Sequence, residues 1–106
     1  MGYRSQVALA LCPEADELLQ ANAKWIPELA ELIKDSESDA EERYFWSSIK
    51  WYESFPEIDA INRFLAFLEC HDWQFGFIRL GEEENDIERM GQPSEYDMFV
   101  SRAIEW

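Results

Sequence analysis

The sequence predicts an α+β fold in which a single mixed β-sheet of four to five strands carries two helical segments packed on one face, in the order β-α-β-α-β-β-β. Short stretches of alternating apolar and polar residues indicate strands, and two longer stretches with apolar residues at helical spacing indicate helices. A chain of 106 residues, 47% of them hydrophobic, can fill one compact core. We therefore expect one domain over residues 1–106. Right-handed crossovers place both helices on one side and leave the other sheet face partly open.

The first strand is predicted over Tyr3–Leu11 because apolar and polar residues alternate there. Ala8 and Ala10 lie on its second face, and small apolar residues at such positions are typical of a central strand covered on both sides. A helical segment follows, but Pro27 disfavours helical geometry at the residue before it. We expect the helix to kink or break at that point.

Residues 35–42 contain no large apolar side chain and are predicted to form a loop. A second strand is predicted over Arg43–Tyr52, where Phe45 and Trp51 share one face. The aromatic residues of its other face are expected on the open side of the sheet; they are Tyr44, Trp46 and Tyr52.

A second helix is predicted from the Ser54-Phe55-Pro56-Glu57 segment to about Glu69. Ser54 and Glu57 have the spacing of a capping box, in which each side chain bonds to the backbone N–H of the other residue. One apolar stripe follows at helical spacing, formed by Ile58, Ile61, Phe64, Leu65 and Leu68.

Three further strands are predicted over Trp73–Leu80, Ile87–Met90 and Asp97–Trp106. An acidic turn over Gly81–Asp86 joins the first two into a hairpin. A loop over Gly91–Glu95 leads to the last strand.

Cys12 and Cys70 are expected to be free thiols of a cytoplasmic protein, because we find no secretory signal and two cysteines form at most one disulfide. In Cys70-His71-Asp72 a nucleophile, a base and an acid adjoin, but adjacent side chains diverge and cannot form a triad. No second short-spaced ligand pair accompanies them, and no phosphate-binding or hydrolase motif is present. We predict no catalytic residue, no metal site and no cofactor, and hence a binding protein and not an enzyme.

The chain carries 23 acidic and 9 basic residues and a formal net charge of -14. Direct binding to nucleic acid or to an anionic membrane requires a basic surface, so both are disfavoured as partners. The charge also exceeds the magnitude of roughly 2–8 that keeps a small domain soluble. We therefore expect a basic protein surface as the partner, approached with electrostatic steering.

Two acidic groups are the candidate contacts, although solvated loops are an alternative interpretation of each. In the first, acids at every second position would lie on one side of an extended segment at about 6.7 Å intervals, a spacing comparable to that of a phosphate strand. Its members are Asp35, Glu37, Asp39, Glu41 and Glu42. The second, near the acidic turn, contains Glu82, Glu83, Glu84, Asp86 and Glu88.

Five tryptophans and four tyrosines exceed what a core of this size normally uses, and both residue types are favoured interface anchors. We expect most of the remaining tryptophans, Trp25, Trp51 and Trp73, to lie in the core. The candidate surface anchors are Trp46, Tyr52, Tyr96 and Trp106.

The opening Met1-Gly2-Tyr3-Arg4-Ser5, with the alternating Val7-Ala8-Leu9 strand after it, resembles the start of small acidic proteins encoded by phages and prophages. The closing segment Phe99–Glu105 is similar in type. The resemblance covers only the two terminal strands and transfers no functional residue. It implies an accessory protein of the anti-defence kind, such as an anti-CRISPR or anti-restriction inhibitor.

Together these observations predict an acidic stoichiometric inhibitor that occludes the basic nucleic-acid-binding or partner surface of a host nuclease complex in the host cytoplasm. An immunity protein or antitoxin that neutralises a toxin is an alternative with the same physics. A small-molecule or nucleotide-sequestering module, which could be a homodimer formed through an edge strand, is a third. An apolar pocket with convergent polar groups would favour the third.

Overall fold

The computed structural model describes residues 2–38, 40–83, 85–100 and 104–105, and it confirms the predicted α+β class. The helices within these residues are α1 (Pro13–Ala23), α2 (Pro27–Lys34) and α3 (Pro56–Cys70). The main sheet contains β1 (Ser5–Leu11), β2 (Arg43–Ile49), β3 (Phe75–Leu80) and β4 (Ile87–Gly91). A 3-10 helix (Pro93–Tyr96) precedes a two-stranded sheet of β5 (Phe99–Val100) and β6 (Ile104–Glu105). None of the described helices is both long and apolar enough to span a bilayer.

The main sheet has the strand order β2-β1-β3-β4, and every pairing in it is antiparallel. The prediction of a mixed sheet is therefore wrong. The physical reason is the central position of β1. Strands β2 and β3 both run antiparallel to β1 on its two sides, so the crossover through α3 connects parallel strands that are not neighbours.

Strand β1 is buried on both faces, as its sequence predicts. Val7 and Leu9 point toward the helices and belong to the larger core, together with residues of α1, α2 and α3. Ala8 and Ala10 point the other way into a smaller second core. Alternating side chains of one strand thus hold two layers together.

The helical layer follows the predicted pattern. The apolar stripe of α3 is buried, and Leu19 and Leu29 bring α1 and α2 into the same core. Ile26 has extended backbone (φ -121, ψ 95), so the helical segment breaks before Pro27 into α1 and α2.

The second sheet face is covered at its centre, while Phe45 and Leu80 toward its margins are only half-buried, so the face is partly open as expected. Met98 and Ile104, from the C-terminal segment, pack there on Ala8 and Ile78. A Cβ atom at Gly76 would lie 2.6 Å from Met98 Cε and 2.9 Å from Pro93 Cα, so glycine permits this close approach. The long last strand predicted over residues 97–106 is wrong, because β5 and β6 pair with each other.

A β-bulge changes the facing of β2. Val7 pairs with Trp46 but Ser5 pairs with Ile49, so β2 contains one extra residue between these pairs. Strict alternation places Trp46 and Ile49 on opposite faces, whereas both pack against the helix-side core. The predicted facing of Tyr44 and Trp46 toward an open sheet face is also wrong, because they pair with Leu9 and Val7 and share the helix-facing side of the sheet with them.

The capping box at Ser54 is also absent. The helix begins at Pro56, its N-cap is Phe55, and no side chain caps it. Because proline drives the preceding residue into extended geometry, Phe55 (φ -77, ψ 134) cannot serve as the first helical residue that a Ser54 cap requires.

The covered second face leads to a stability prediction. We expect Ile78→Ala to lower the free energy of unfolding by about 2–5 kcal/mol, because it leaves a cavity under the C-terminal cover. Ile87→Ala is the matched control, since Ile87 borders the same cluster but is only half-buried. Urea unfolding measures both variants. Equal losses for the two would contradict a covered centre of the second face.

Candidate functional site

The tryptophan and tyrosine side chains have a different distribution from the predicted one. Trp46 is 4% exposed, so its assignment as a surface anchor is wrong. Its indole Nε1–H donates a hydrogen bond to the Leu32 carbonyl oxygen at 3.0 Å, and its ring stacks on that of Tyr44. The register of β2 on β1 accounts for this, because Tyr44 and Trp46 pair with Leu9 and Val7, whose side chains also point toward the helices.

The two tyrosines among the candidate anchors are not fully exposed either. Tyr52 is half-buried against Phe55, and its hydroxyl oxygen accepts the backbone N–H of Tyr3 at 2.6 Å. Tyr96 is half-buried against the second core. Trp106 lies outside the described residues.

Among the tryptophans that the structure describes, Trp25 is the exposed one, with 86% of its surface open to solvent, so the expectation of a core position is wrong for this residue. Helix α1 ends at Ala23, so Trp25 lies in the turn before α2 and outside the apolar stripe. Its backbone N–H donates to the Asn22 carbonyl at 3.0 Å, which fixes the turn. Trp51 and Trp73, also assigned to the core, pack partly buried at its edge.

An exposed tryptophan forgoes a large hydrophobic stabilisation. Its side chain buries roughly 200 Å² when covered, equivalent to about 5 kcal/mol at about 25 cal/mol/Å². A partner that covers Trp25 would therefore gain hydrophobic stabilisation that the isolated chain does not have.

An open apolar groove of about 610 Å³ lies beside the α1–α2 corner. It runs between the corner formed by α1 and α2 on one side and α3 on the other. Its apolar lining comes from Leu18, Ile26, Leu29, Pro56, Ala60, Phe64 and Phe67. Trp25 stands in the chain between two lining residues, Asn22 and Ile26. Phe67, which is 42% exposed, lies on the α3 side.

The first predicted acidic group does not form a row. Asp35 caps the C-terminal end of α2 in helical geometry, and Glu42 has a left-handed backbone (φ 67). Glu37 folds back on β2, where its carboxylate accepts the backbone N–H of Ser47 at 2.6 Å. That bond, with a second from the Ser47 hydroxyl, lowers the pKa of Glu37. Glu41 is exposed in the turn, and Asp39 lies outside the described residues.

Two members of the second predicted acidic group form ion pairs with Arg79, which is only 8% exposed. The Arg79 Nη2 atom lies 2.6 Å from oxygens of both Asp86 and Glu88. Nη1 also donates to Ser5 Oγ at 3.0 Å. The whole guanidinium is thereby satisfied within the chain, and two of the predicted partner contacts serve the fold instead.

Tyr3 completes this network. Its hydroxyl donates to Asp86 Oδ2 at 2.6 Å and accepts the backbone N–H of Glu83 at 2.9 Å. Hydrogen bonds from Arg79 and then from Tyr3 lower the pKa of Asp86. Glu82 and Glu83 remain exposed in the turn, and Glu84 lies outside the described residues.

The helical layer carries further exposed acids that the sequence analysis did not select. Residues 13–34 and 56–70 contain eight acidic and three basic residues. Glu17, Glu28 and Glu31 are exposed among them. Their positions on the polar side of the helical segments could have predicted this exposure from the sequence, but only acids in loops were selected.

The cysteine and histidine residues lie at helix ends, where Cys12 is half-buried and Cys70 is exposed. Cys12 and Cys70 are free thiols, as predicted. His71 caps the C-terminal end of α3, and its ring lies 4.4 Å from that of Phe67. Over the residues that the structure describes, no three histidine, cysteine or acidic side chains are grouped to hold a metal ion.

Comparison with protein families, curated proteins and solved structures finds no match to this chain.

The Arg79 network makes a pH-dependent prediction. At pH 7, Asp86→Asn should lower the free energy of unfolding by about 1–3 kcal/mol, because Arg79 loses a charged acceptor. The pKa of Asp86 is depressed in the fold, so its contribution exists above the unfolded pKa and disappears as pH falls through the folded value. Denaturant unfolding between about pH 7 and pH 3 measures this difference.

Glu82→Gln is the control, since Glu82 is an exposed acid of the same turn. It should change stability little at any pH. A difference between wild type and Asp86→Asn that persists unchanged at low pH would contradict the assigned role of the carboxylate.

Proposed function

We propose that the protein is a non-catalytic, stoichiometric inhibitor that binds the basic surface of another protein. The observation that carries this proposal is Trp25, an 86% exposed tryptophan on a layer of helices in which acids outnumber bases. Tryptophan is among the residues that most often dominate binding energy at protein interfaces. Exposed carboxylates of the same helices, among them Glu17, Glu28 and Glu31, supply long-range attraction to a cationic surface.

The charge of the chain supports the same conclusion. A net charge of -14 on 106 residues opposes folding through self-repulsion. Arg79 neutralises part of it inside the molecule, at Asp86 and Glu88. Glu17, Glu31 and Asp35 remain exposed along α1 and α2, and none has an ion pair with a described residue. A cationic partner would relieve this repulsion on binding.

The proposed partner is a nuclease complex of host defence, in accordance with the resemblance of the terminal strands to phage-encoded accessory proteins. A nucleic-acid-binding groove is a basic surface, so covering it blocks the nucleic acid without any chemical step. An immunity protein directed at a toxin nuclease would use the same attraction. The identity of the partner decides between the two.

The proposal predicts a salt-sensitive association rate. Between about 50 mM and 500 mM salt, we expect the association rate constant with the partner protein to fall by at least about tenfold, because ions screen the electrostatic attraction. Stopped-flow or surface-based kinetics measures this rate. The protein should also abolish nucleic-acid binding by the partner at one molar equivalent.

Two triple variants with equal net charge locate the contact. Glu17→Gln, Glu31→Gln and Asp35→Asn together should slow association more than Glu82→Gln, Glu83→Gln and Glu95→Gln together. All six side chains are exposed, so both variants should fold. An association rate that is independent of salt, or that neither triple variant changes, would refute the proposed electrostatic recognition.

A further inference from the structure

We infer that the groove between the α1–α2 corner and α3 binds one amphipathic helix with basic flanks, supplied by the partner, with Trp25 as the principal anchor. This inference rests on the proposed function and specifies the segment that the protein recognises. It is carried by the groove, the exposed aromatic rings and the charge of the rim.

The groove walls favour a helix over an extended segment. Backbone groups of α1, α2 and α3 are bonded within those helices, and the Ile26 carbonyl in the corner already accepts the N–H groups of Leu29 and Ala30. These walls therefore offer no strand edge with which an extended peptide could pair. A segment that enters an apolar groove must then satisfy its own backbone hydrogen bonds, and a helix does so.

The charge around the groove favours a basic segment. Glu28 and Asp59 lie in the lining, and Arg63 is paired with Asp59 at 3.0 Å. Acids exceed bases over the helices that form the walls. A second copy of the chain would bring another strongly acidic surface to this rim, and repulsion opposes that contact. A partner helix with lysine or arginine beside its apolar stripe meets no such opposition.

The polar lining does not favour a small-molecule ligand. Small-molecule sites contain a few polar groups that converge on the ligand. Here the Asn22 side-chain amide donates to the Leu18 carbonyl at 3.0 Å, and Arg63 pairs with Asp59. These polar groups are committed within the chain, which leaves apolar contact as the main interaction the groove offers.

The two exposed rings fit the role of anchors. Trp25 directly precedes the lining residue Ile26 in the chain without itself belonging to the lining, and Phe67 lies on the α3 wall. A helix lying between them would cover both with apolar residues at i, i+3, i+4 and i+7 spacing. The Phe67 ring also contacts the ring of His71, which lies at the C-terminal end of α3.

The test uses the full chain and three synthetic peptides. The first is a helical peptide with a leucine stripe and lysines on its other face. The second has the same composition in scrambled order, without a stripe, and the third keeps the stripe but replaces lysine by glutamate. Amide NMR shifts give the affinity and map the contact. The first peptide should bind most tightly and shift residues around Ile26, Ala60 and Phe67.

Variants of the chain distinguish peptide binding in the groove from general electrostatic attraction to the acidic surface. Trp25→Ala should weaken binding of the first peptide by about tenfold or more. Because Trp25 is almost fully exposed, its removal should leave the thermal unfolding midpoint unchanged. Glu95→Ala is the matched control, since it removes an exposed side chain from the 3-10 helix on the other side of the sheet, and it should weaken binding less than twofold.

The outcomes distinguish the inference from the proposed function. Equal binding of the first and second peptides, with no effect of Trp25→Ala, would overturn the groove and leave the basic-partner proposal in place. Binding of the glutamate peptide as tight as that of the lysine peptide would overturn the charge preference. Groove shifts that depend on protein concentration alone would show a second copy as the occupant and overturn the inference. No binding of any peptide would also overturn it, while the salt-dependence measurement would still test the proposed function.

Discussion

The burial of β1 on both faces is the constraint on which the rest of the structure depends. Val7 and Leu9 join the helices to the sheet, and Ala8 and Ala10 join the C-terminal cover to it. Since both faces of the central strand are sealed, neither offers a binding surface. The helical layer carries the exposed Trp25 and the apolar groove, and it is there that we place the proposed recognition.

The acidic residues divide into two functions. Asp86 and Glu88 hold the buried guanidinium of Arg79, and Glu37 ties the loop after α2 to Ser47 of β2. These carboxylates stabilise the fold through charge-assisted hydrogen bonds. The exposed acids of α1 and α2 make no comparable bond, and their repulsion is the cost that a cationic partner would offset.

Local patterns predicted most of the fold, and contacts distant in sequence produced the errors in the sheet. The alternation in β1, the apolar stripe of α3 and the break before Pro27 depend on near neighbours along the chain. Alternation placed Tyr44 and Trp46 on one face of β2, but which face meets the helices depends on their pairing with β1. For the candidate site, the pairing of Arg79 with Glu88 follows from the β3–β4 register and was within reach of the predicted hairpin. The exposure of Trp25 depends on where α1 ends, which the sequence left unspecified.

Photo-crosslinking from position 25 tests most directly whether the helical layer contacts a basic partner. A photoreactive phenylalanine derivative would replace Trp25 in one protein and Glu95 in another, and both would be irradiated in an extract of the cells that produce the chain. We expect position 25 to form an adduct with a lysine- or arginine-rich helical segment of one protein and position 95 to form none. Adducts from position 95 alone, or an acidic segment joined at position 25, would contradict this expectation.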